Sequence, residues 1–314
     1  MERVLDPVTG KEVEVVRYSD LGIGNVKRGK VRDVYDLGEE LLIYHTDRIS
    51  AFDVVMPTLI PHKGESLLKL SVYWMERSDR VFPNHFIAVE GSRTIRVKKA
   101  KRIDIEWVIR KYLYGSLWRA YRDGRREMYG MRFPDGLRMA DELPDPVITP
   151  TTKAEVGHDE EISKEGAISR GLVDRETWGE LEEATLKLYA FYKDEAKRKG
   201  IIIPDFKIEF GSVGGELIQI DEPPTHDSAR MWAMRYYRPG EQQERHCLDK
   251  EFLRECLRRM GFSGEGQPPE LPPEVVREVS KRCIGAYSVI SGRERVEDLG
   301  LASVDDLFGE CRKN

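Results

Sequence analysis

The order of apolar and polar positions predicts short strands followed by a helix in the first third of the chain. Two apolar-rich runs, 30–36 and 41–45, flank Leu37-Gly38-Glu39-Glu40, a pattern typical of a β-hairpin. Apolar residues at near-helical spacing predict a helix over 66–78. The β-branched residues between 81 and 113 favour antiparallel strands.

The clearest helix of the sequence is predicted over 177–199. Thr177 and Glu180 have the spacing of a capping box, and Gly200 follows a basic last turn. One apolar face is predicted, consisting of Leu181, Ala184, Leu188, Tyr192 and Ala196.

The rest of the pattern indicates a mixed fold. Glycine and proline punctuate 124–152, which we interpret as mostly loop. A second hairpin is predicted over 201–221, and helices beyond residue 245. We therefore expect an α+β fold of two lobes, with an N-terminal antiparallel β lobe over 1–105 and a C-terminal α+β lobe over 106–314.

Composition narrows the classes of function. The 314 residues are 40% hydrophobic and 34% charged, and the net charge is −5. This charge offers no general attraction for nucleic acid or an anionic membrane, so neither is an expected partner. No leader-like or membrane-spanning apolar run is present, and a cytoplasmic protein is expected. Four widely spaced cysteines favour isolated reduced thiols.

The hairpin at 201–221 carries the first candidate chemistry. Because strand side chains alternate, Asp205, Lys207 and Glu209 share one face. If Phe210 pairs with Glu216, then Gln219 and Asp221 join that face. Crowded carboxylates repel unless a cation neutralises them, and Mg²⁺ suits such oxygen ligands. An ordinary solvated strand face is the alternative.

The segment after this hairpin delivers three polar side chains together. Asp227, Ser228 and Arg230 follow a stiff proline-containing loop, and the Arg230 guanidinium is suited to a phosphate or carboxylate. A helix cap formed by Asp227 and Ser228 is the alternative.

Two polar segments near the N-terminus are further candidates. Gly29 precedes Lys30 and Arg32, which could approach a polyphosphate, although a plain edge strand is the alternative. The loop 46–53 follows a predicted strand and has the polar character of a ligand-binding loop, although a capped helix start fits equally. Its candidate substrate-binding residues are Asp47, Arg48 and Ser50.

The middle of the chain adds an anion-binding pattern. Arg110 lies on a predicted strand, and Gly115 and Ser116 begin a short helix whose N-terminus would suit a phosphate monoester. The polar loop 149–163 contributes Lys153, His158 and Asp159 as candidate substrate contacts, with an ordinary solvated loop as the alternative.

Taken together, these segments resemble the SAICAR synthetase family over roughly residues 25–260. That resemblance implies a two-lobed, kinase-like or ATP-grasp-like ligase that uses ATP and Mg²⁺. Its small-molecule substrates would be ATP, L-aspartate and carboxyaminoimidazole ribonucleotide (CAIR). The matching segments, in order, are GKVRDVYD, TDRISAFDV, IPHKG, TPTTKAEVGHDEEIS, IIIPDFKIEFG and IDEPPTHDSARMW.

The resemblance also implies roles for individual residues. Glu209 and Asp221 correspond to metal ligands, and Lys30, Asp205 and Lys207 to catalytic positions, with Asp205 a candidate general base. The implied ATP contacts are Gly29, Lys30, Arg32, Lys98 and Arg102. The implied ribonucleotide contacts are Arg110, Ser116, Asp205, Lys207, Asp227, Ser228 and Arg230. The two loops that hold Asp47, Arg48, Ser50, Lys153, His158 and Asp159 would close over the site.

Some positions depart from the family pattern, and other functions stay open. Lys111 stands where the family usually has glycine, and His226 where it commonly has proline. A small-molecule kinase on the same scaffold and a catalytically inactive nucleotide-binding module are the alternatives. The oligomeric state is expected to be a monomer or a small homo-oligomer.

Overall fold

The computed structural model describes residues 2–152 and 160–309. Its strands, in chain order, are β1 Glu2–Leu5, β2 Glu12–Val15, β3 Val26–Arg28, β4 Arg32–Asp36, β5 Glu40–His45, β6 Ser50–Ala51, β7 Val54–Val55, β8 Phe86–Val89, β9 Thr94–Lys98, β10 Lys101–Tyr112, β11 Glu127–Met128, β12 Met131–Arg132, β13 Glu142–Thr152, β14 Ile201–Ile202, β15 Asp205–Val213, β16 Glu216–Ile220 and β17 Trp232–Ala233. The α-helices are α1 Lys63–Ser78, α2 Gly115–Arg122, α3 Lys164–Ser169, α4 Arg175–Arg198, α5 Glu251–Arg259, α6 Pro273–Ile290 and α7 Val304–Phe308. The 3-10 helices are Met234–Tyr236, Glu244–His246 and Val296–Leu299.

Two antiparallel sheets carry the site. The first has the strand order β3-β4-β5-β9-β8, and the second has the order β13-β10-β15-β16. The β4-β5 hairpin confirms the first predicted turn, with the Leu37 amide donating to the Glu40 carbonyl at 2.9 Å. The predicted α+β class is confirmed.

The prediction that 124–152 is mostly loop is wrong, because β13 occupies its last eleven residues. This strand includes Pro144, Pro146 and Pro150, which misled the interpretation. Proline lacks an N–H donor but is tolerated where a strand lies at the edge of a sheet. β13 is such an edge strand, since it pairs with β10 on one side.

Helix α4 begins two residues before the predicted start. The Asp174 carboxylate accepts a hydrogen bond from the Thr177 amide at 2.7 Å, so Asp174 is the N-cap and the predicted Thr177–Glu180 box is wrong. The predicted apolar face is confirmed: all five of its side chains are buried, and they pack among the aromatic residues of the core.

The register of the second hairpin differs from the prediction by three residues. Phe210 pairs with Gln219, and not with Glu216. Gly214 and Gly215 both have positive φ, at 60° and 92°, so the chain turns in two residues and β15 continues to Val213. Gln219 consequently faces the core, where its Oε1 atom accepts from the Tyr192 hydroxyl at 3.0 Å.

The second sheet packs on the main apolar core, and the first sheet packs on a smaller cluster that contains Ile43, Leu68, Ile95 and Val97. Trp74 from α1 lies in the same buried cluster as Trp107 from β10 and Phe206 from β15. The division into lobes at residue 105 stays a prediction; β10 runs across that position, so a boundary in the linker 99–100 would interrupt no strand. Within the described residues, no helix is long and apolar enough to span a membrane.

Candidate functional site

The Lys207 ammonium is the centre of an acidic cluster between neighbouring strands. Its Nζ atom lies 3.0 Å from Glu106 Oε1 and 3.3 Å from Asp221 Oδ2, and it also contacts the Glu209 carboxylate. Glu106 and Glu209 are directly opposite each other on β10 and β15. Like charges in that position repel, and the lysine between them offsets the repulsion. We call these four side chains the Lys207 cluster.

The Lys207 cluster has three carboxylates for one ammonium group. Burial alone would lower the pKa of Lys207, but the Asp221, Glu209 and Glu106 carboxylates raise it above its usual value. Over residues 2–152 and 160–309, no three acidic, histidine or cysteine side chains form a ready metal-binding group. Two carboxylates are nevertheless sufficient for Mg²⁺ when phosphate oxygens complete its shell. The donors of Glu209 and Asp221 fit that chemistry.

Asp221 links the two sheets at this cluster. It follows β16 with a φ of 63°, which turns its carboxylate towards the charged face despite the shifted register. Its Oδ1 atom pairs with the Arg32 guanidinium from β4, and Glu222 lies 3.8 Å from the same group. Burial would lower the pKa of Arg32, but Asp221 and Glu222 raise it. The predicted Arg32 and Asp221 are therefore brought together.

The glycine-containing loop before β4 is held by Arg48. This buried guanidinium donates to the carbonyl oxygens of Gly29 and Lys30 at 2.9 and 3.1 Å and to Asp33 Oδ1 at 2.8 Å. The Lys30 ammonium, in contrast, is half exposed and lies 2.6 Å from Asp53 Oδ1. Arg48 thus supports the loop that presents Lys30, and a direct substrate contact of Arg48 stays a prediction.

Asp47 also has a structural role in this part of the protein. Its fully buried carboxylate accepts from the Val16 and Gly64 amides at 2.8 and 3.0 Å and from Arg93 Nη1 at 2.9 Å. Ser50 is buried in the two-residue strand β6. The alternative of a helix start over 46–53 is wrong, because these residues form a loop and a strand. Substrate contacts of Asp47 and Ser50 stay predictions.

Lys98 and Arg102 flank the linker between the two sheets. Lys98 ends β9, and Arg102 lies near the start of β10, with its Nε atom 2.7 Å from Asp104 Oδ1. Both side chains are exposed. Their predicted contact with the adenine of ATP is compatible with this position but stays a prediction.

A second cluster surrounds Asp205 at the other end of the same face. Arg110 is directly opposite Asp205 on β10, with Nη1 3.5 Å from its Oδ2. The Arg110 Nη2 atom lies 3.1 Å from Ser116 Oγ, and its Nε atom lies 3.0 Å from Thr149 Oγ1. Arg230 Nη1 lies 2.9 and 2.8 Å from the two Asp205 oxygens. We call these five side chains the Asp205 cluster, and four of them were predicted to converge.

Arg230 is also fixed from its other side. Glu251, at the start of α5, lies 3.5 Å from Arg230 Nε. An added Cβ on Gly115 would lie 2.6 Å from Arg230 Nη2, so glycine is required for this approach. Burial alone would lower the pKa of Arg230, but Asp205 and Glu251 raise it. The guanidinium is therefore charged and held in one orientation.

The loop between β16 and β17 places Asp227 between Lys63, which is fully buried, and Lys250, which is partly buried. Asp227 Oδ1 lies 3.4 Å from Lys63 Nζ and 3.3 Å from Lys250 Nζ. Burial would raise the pKa of Asp227, but the two ammonium groups lower it. Ser228 Oγ donates to the Pro223 carbonyl at 2.7 Å, which shapes the loop. No helix begins there, so the helix-cap alternative is wrong.

Sequence reasoning missed several members of this arrangement. Glu106, Lys63, Lys250 and Glu251 come from elements far along the chain from the residues that they contact. Lys63 lies in the IPHKG segment, which contributes to the family resemblance, but its ion pair with Asp227 was not predicted. Lys153, His158 and Asp159, which were expected to close over the site, lie outside the described residues.

Comparisons with known proteins agree with this geometry. A model of the SAICAR synthetase family matches residues 25–270. A phosphoribosylaminoimidazole-succinocarboxamide synthase of Desulfosudis oleivorans is 41% identical over 296 residues, covering 89% of this chain and 99% of that protein. A second such synthase, from Citrifermentans bemidjiense, is 40% identical over 288 residues, covering 87% of this chain and 96% of that protein.

Solved structures show the same relationship. The SAICAR synthase of Saccharomyces cerevisiae, complexed with SAICAR, has a TM-score of 0.79 and 34% identity, covering 90% of this chain and 99% of that one. A SAICAR synthetase in complex with ADP has a TM-score of 0.63 and 26% identity, covering 83% of this chain and 98% of that one. With its fold, its two charged clusters and these matches, the chain belongs to the SAICAR synthetase family.

Proposed function

We propose that this protein is an ATP-dependent ligase that joins L-aspartate to CAIR, giving SAICAR, ADP and phosphate in purine biosynthesis. The observation that carries the proposal is the placement of the two clusters on one face of β10 and β15. The Lys207 cluster is rich in carboxylates, and the Asp205 cluster is rich in guanidinium groups. A metal–phosphate site and an anionic substrate site would therefore lie next to each other. Support comes from related proteins with bound SAICAR and ADP.

The first half of the reaction requires activation of the CAIR carboxylate. A carboxylate oxygen attacks the γ-phosphorus of ATP, the bond from that phosphorus to ADP breaks, and an acyl phosphate forms. Arg32 on β4 pairs with Asp221, and Lys30 lies two residues before Arg32 in the chain; both would offset negative charge on the phosphates. Mg²⁺ bound by Glu209 and Asp221 would neutralise charge on the phosphoryl oxygens.

The second half of the reaction forms the amide. The aspartate amine attacks the acyl carbon, phosphate leaves with its bonding electrons, and the amine loses a proton. Asp205 is the candidate acceptor of that proton, although its carboxylate is engaged by Arg230 and Arg110. No covalent attachment to the protein is needed, because positioning and charge stabilisation supply the catalysis.

The ribonucleotide would bind at the Asp205 cluster. Arg110, Ser116 and Arg230 surround the first turn of α2, where a phosphate monoester also gains from backbone N–H groups. Lys207 would lie between this substrate and the phosphates of ATP. Asp227 and Ser228 shape the adjoining loop, so we propose that they position this loop as well as bind the ribonucleotide.

Product analysis tests the proposal directly. The protein is incubated with ATP, Mg²⁺, CAIR and L-aspartate, and the products are separated by chromatography and identified by mass spectrometry. The proposal predicts SAICAR in amounts equal to ADP. A phosphorylated small molecule without an amide would instead support a kinase, and unchanged substrates would support an inactive nucleotide-binding module.

The proposed partners are small molecules, and the proposed location is the cytoplasm. Neither nucleic acid nor a membrane is a proposed partner. The oligomeric state is proposed to be a monomer or a small homo-oligomer.

A further inference from the structure

Arg119 lies on α2 one turn after Ser116. Residues three apart on a helix are neighbours on its surface. Helical side chains also lean towards the N-terminus of their helix. The long Arg119 side chain is therefore directed back along the helix towards Ser116 and the first turn.

Two guanidinium groups of the Asp205 cluster already border that turn. Arg230 packs against Gly115, and Arg110 Nη2 lies 3.1 Å from Ser116 Oγ. Arg119 is close enough to both for their charges to act on one another. Three guanidinium groups thus surround the start of α2.

Arg119 differs from the other two because, among the described residues, no carboxylate forms an ion pair with it. Asp205 pairs with both Arg110 and Arg230, and Glu251 lies beside Arg230. Over 2–152 and 160–309, the Arg119 guanidinium makes no hydrogen bond or ion pair, and its side chain is exposed. Partial burial and the charge of Arg230 lower the pKa of Arg119, and Glu251 opposes them without forming an ion pair with it. Arg119 therefore keeps a guanidinium that no carboxylate of the described residues binds directly, although Glu251 is close enough to favour its charge.

Other arginines near this site form ion pairs with acidic residues of the protein. Arg122, at the end of the same helix, lies 2.9 Å from Asp123. Arg254 and Arg258 lie 3.1 and 3.3 Å from Glu251. Each of these three arginines forms an ion pair, whereas Arg119 forms none with any residue of 2–152 and 160–309.

We propose that Arg119 binds the 5′-phosphate of the ribonucleotide, together with Ser116 and Arg230. This inference rests on the proposed function. A phosphate monoester carries nearly two negative charges at neutral pH. Asp205 and Glu251 already neutralise part of the positive charge of Arg110 and Arg230, so a charge-assisted hydrogen bond from Arg119 would add positive charge at the phosphate.

The test compares Arg119→Gln with Arg122→Gln, a control on the same helix. Arg119→Gln is expected to raise the KM for CAIR about tenfold and to leave the KM for ATP within about twofold. Arg122→Gln is expected to change neither. Calorimetry of CAIR binding without ATP should show the same loss of affinity, and Arg119→Lys should restore part of it.

The CAIR ribonucleoside, which lacks the phosphate, separates binding from a structural effect. With this substrate, Arg119→Gln and the wild-type protein are expected to have equal kcat/KM. An equal loss with nucleotide and nucleoside, or a nucleotide KM like that of Arg122→Gln, overturns the inference while the wild-type product assay still stands. If the wild-type protein forms no SAICAR, the proposed function itself fails.

Discussion

Arg230 Nη1 lies within 2.9 Å of both carboxylate oxygens of Asp205, so one nitrogen of the guanidinium spans the carboxylate. With Glu251 beside its Nε atom, the group is held before any substrate arrives. Such preorganisation lowers the entropy cost of binding. The orientation of Arg230, as well as its charge, is therefore part of the account.

Arg230→Lys tests that orientation. Lysine keeps the positive charge but loses the planar fork, so the KM for CAIR should rise at least about tenfold. The KM for ATP should change little, because ATP is proposed to bind at the Lys207 cluster. Arg235→Lys is the control, since Arg235 is exposed and 3.8 Å from Glu297. Steady-state kinetics with each substrate varied would contradict the assignment if both KM values rose equally.

The metal role of Asp221 gives a second prediction. Asp221→Asn keeps the shape of the side chain but removes a charge facing Arg32 and Lys207. We expect kcat to fall by at least about a hundredfold, with a circular dichroism spectrum like that of the wild-type protein. Glu216→Gln, an exposed change on the same hairpin, should be neutral. Near-normal activity of Asp221→Asn at saturating Mg²⁺ would remove Asp221 from the metal role.

Local sequence patterns predicted the parts of the site that lie within one element. Asp205, Lys207 and Glu209 alternate along a single strand, so their shared face follows from strand geometry alone. Gln219 was placed on the wrong face because the register depends on which glycines form the turn, and several glycines were available. A shift by an odd number of residues moves a side chain to the opposite face.

Local sequence patterns could not predict contacts between residues far apart in the chain. Glu106 is 101 residues from Lys207 in the sequence, and nothing in either segment specifies their pairing. Asp47 and Arg48 were recognised as important polar residues, but burial decides their role. Their partners are backbone groups and a buried arginine, which a polar loop sequence does not reveal.

Asp47→Asn should therefore act mainly on stability. It would leave Arg93 without its charged partner in a buried position, at a cost of about 3–5 kcal/mol in the free energy of unfolding. Asp20→Asn, an exposed change, should cost less than about 0.5 kcal/mol. Urea denaturation measures both. If Asp47→Asn is as stable as the wild-type protein but binds substrate poorly, Asp47 is a ligand and not a support.

Buried histidines predict acid sensitivity. Burial lowers the pKa of His226 from its ordinary value of 6.5 to about 3, so this ring stays neutral in the folded protein. The unfolded chain takes up a proton below pH 6.5 that the folded chain does not. The contribution of His226 to stability is therefore present above pH 6.5 and is lost as the pH falls towards 3.

The matching experiment follows stability against pH for the wild-type protein and His226→Gln. In the wild-type protein, His226 should contribute a loss approaching about 1.4 kcal/mol per pH unit between pH 6 and 4. The variant should show a correspondingly shallower decrease, whatever its stability at pH 7. Parallel curves for the two proteins would show that His226 does not titrate between the folded and unfolded states as described.

ADP release with one substrate omitted at a time tests the central claim most directly. The account predicts rapid and sustained ADP release only when ATP, CAIR and L-aspartate are all present, with one phosphate released per ADP. Without CAIR, release should fall to background, because the CAIR carboxylate is the group that ATP phosphorylates. Sustained ADP release that is independent of L-aspartate and yields no free phosphate would contradict the ligase and indicate a kinase.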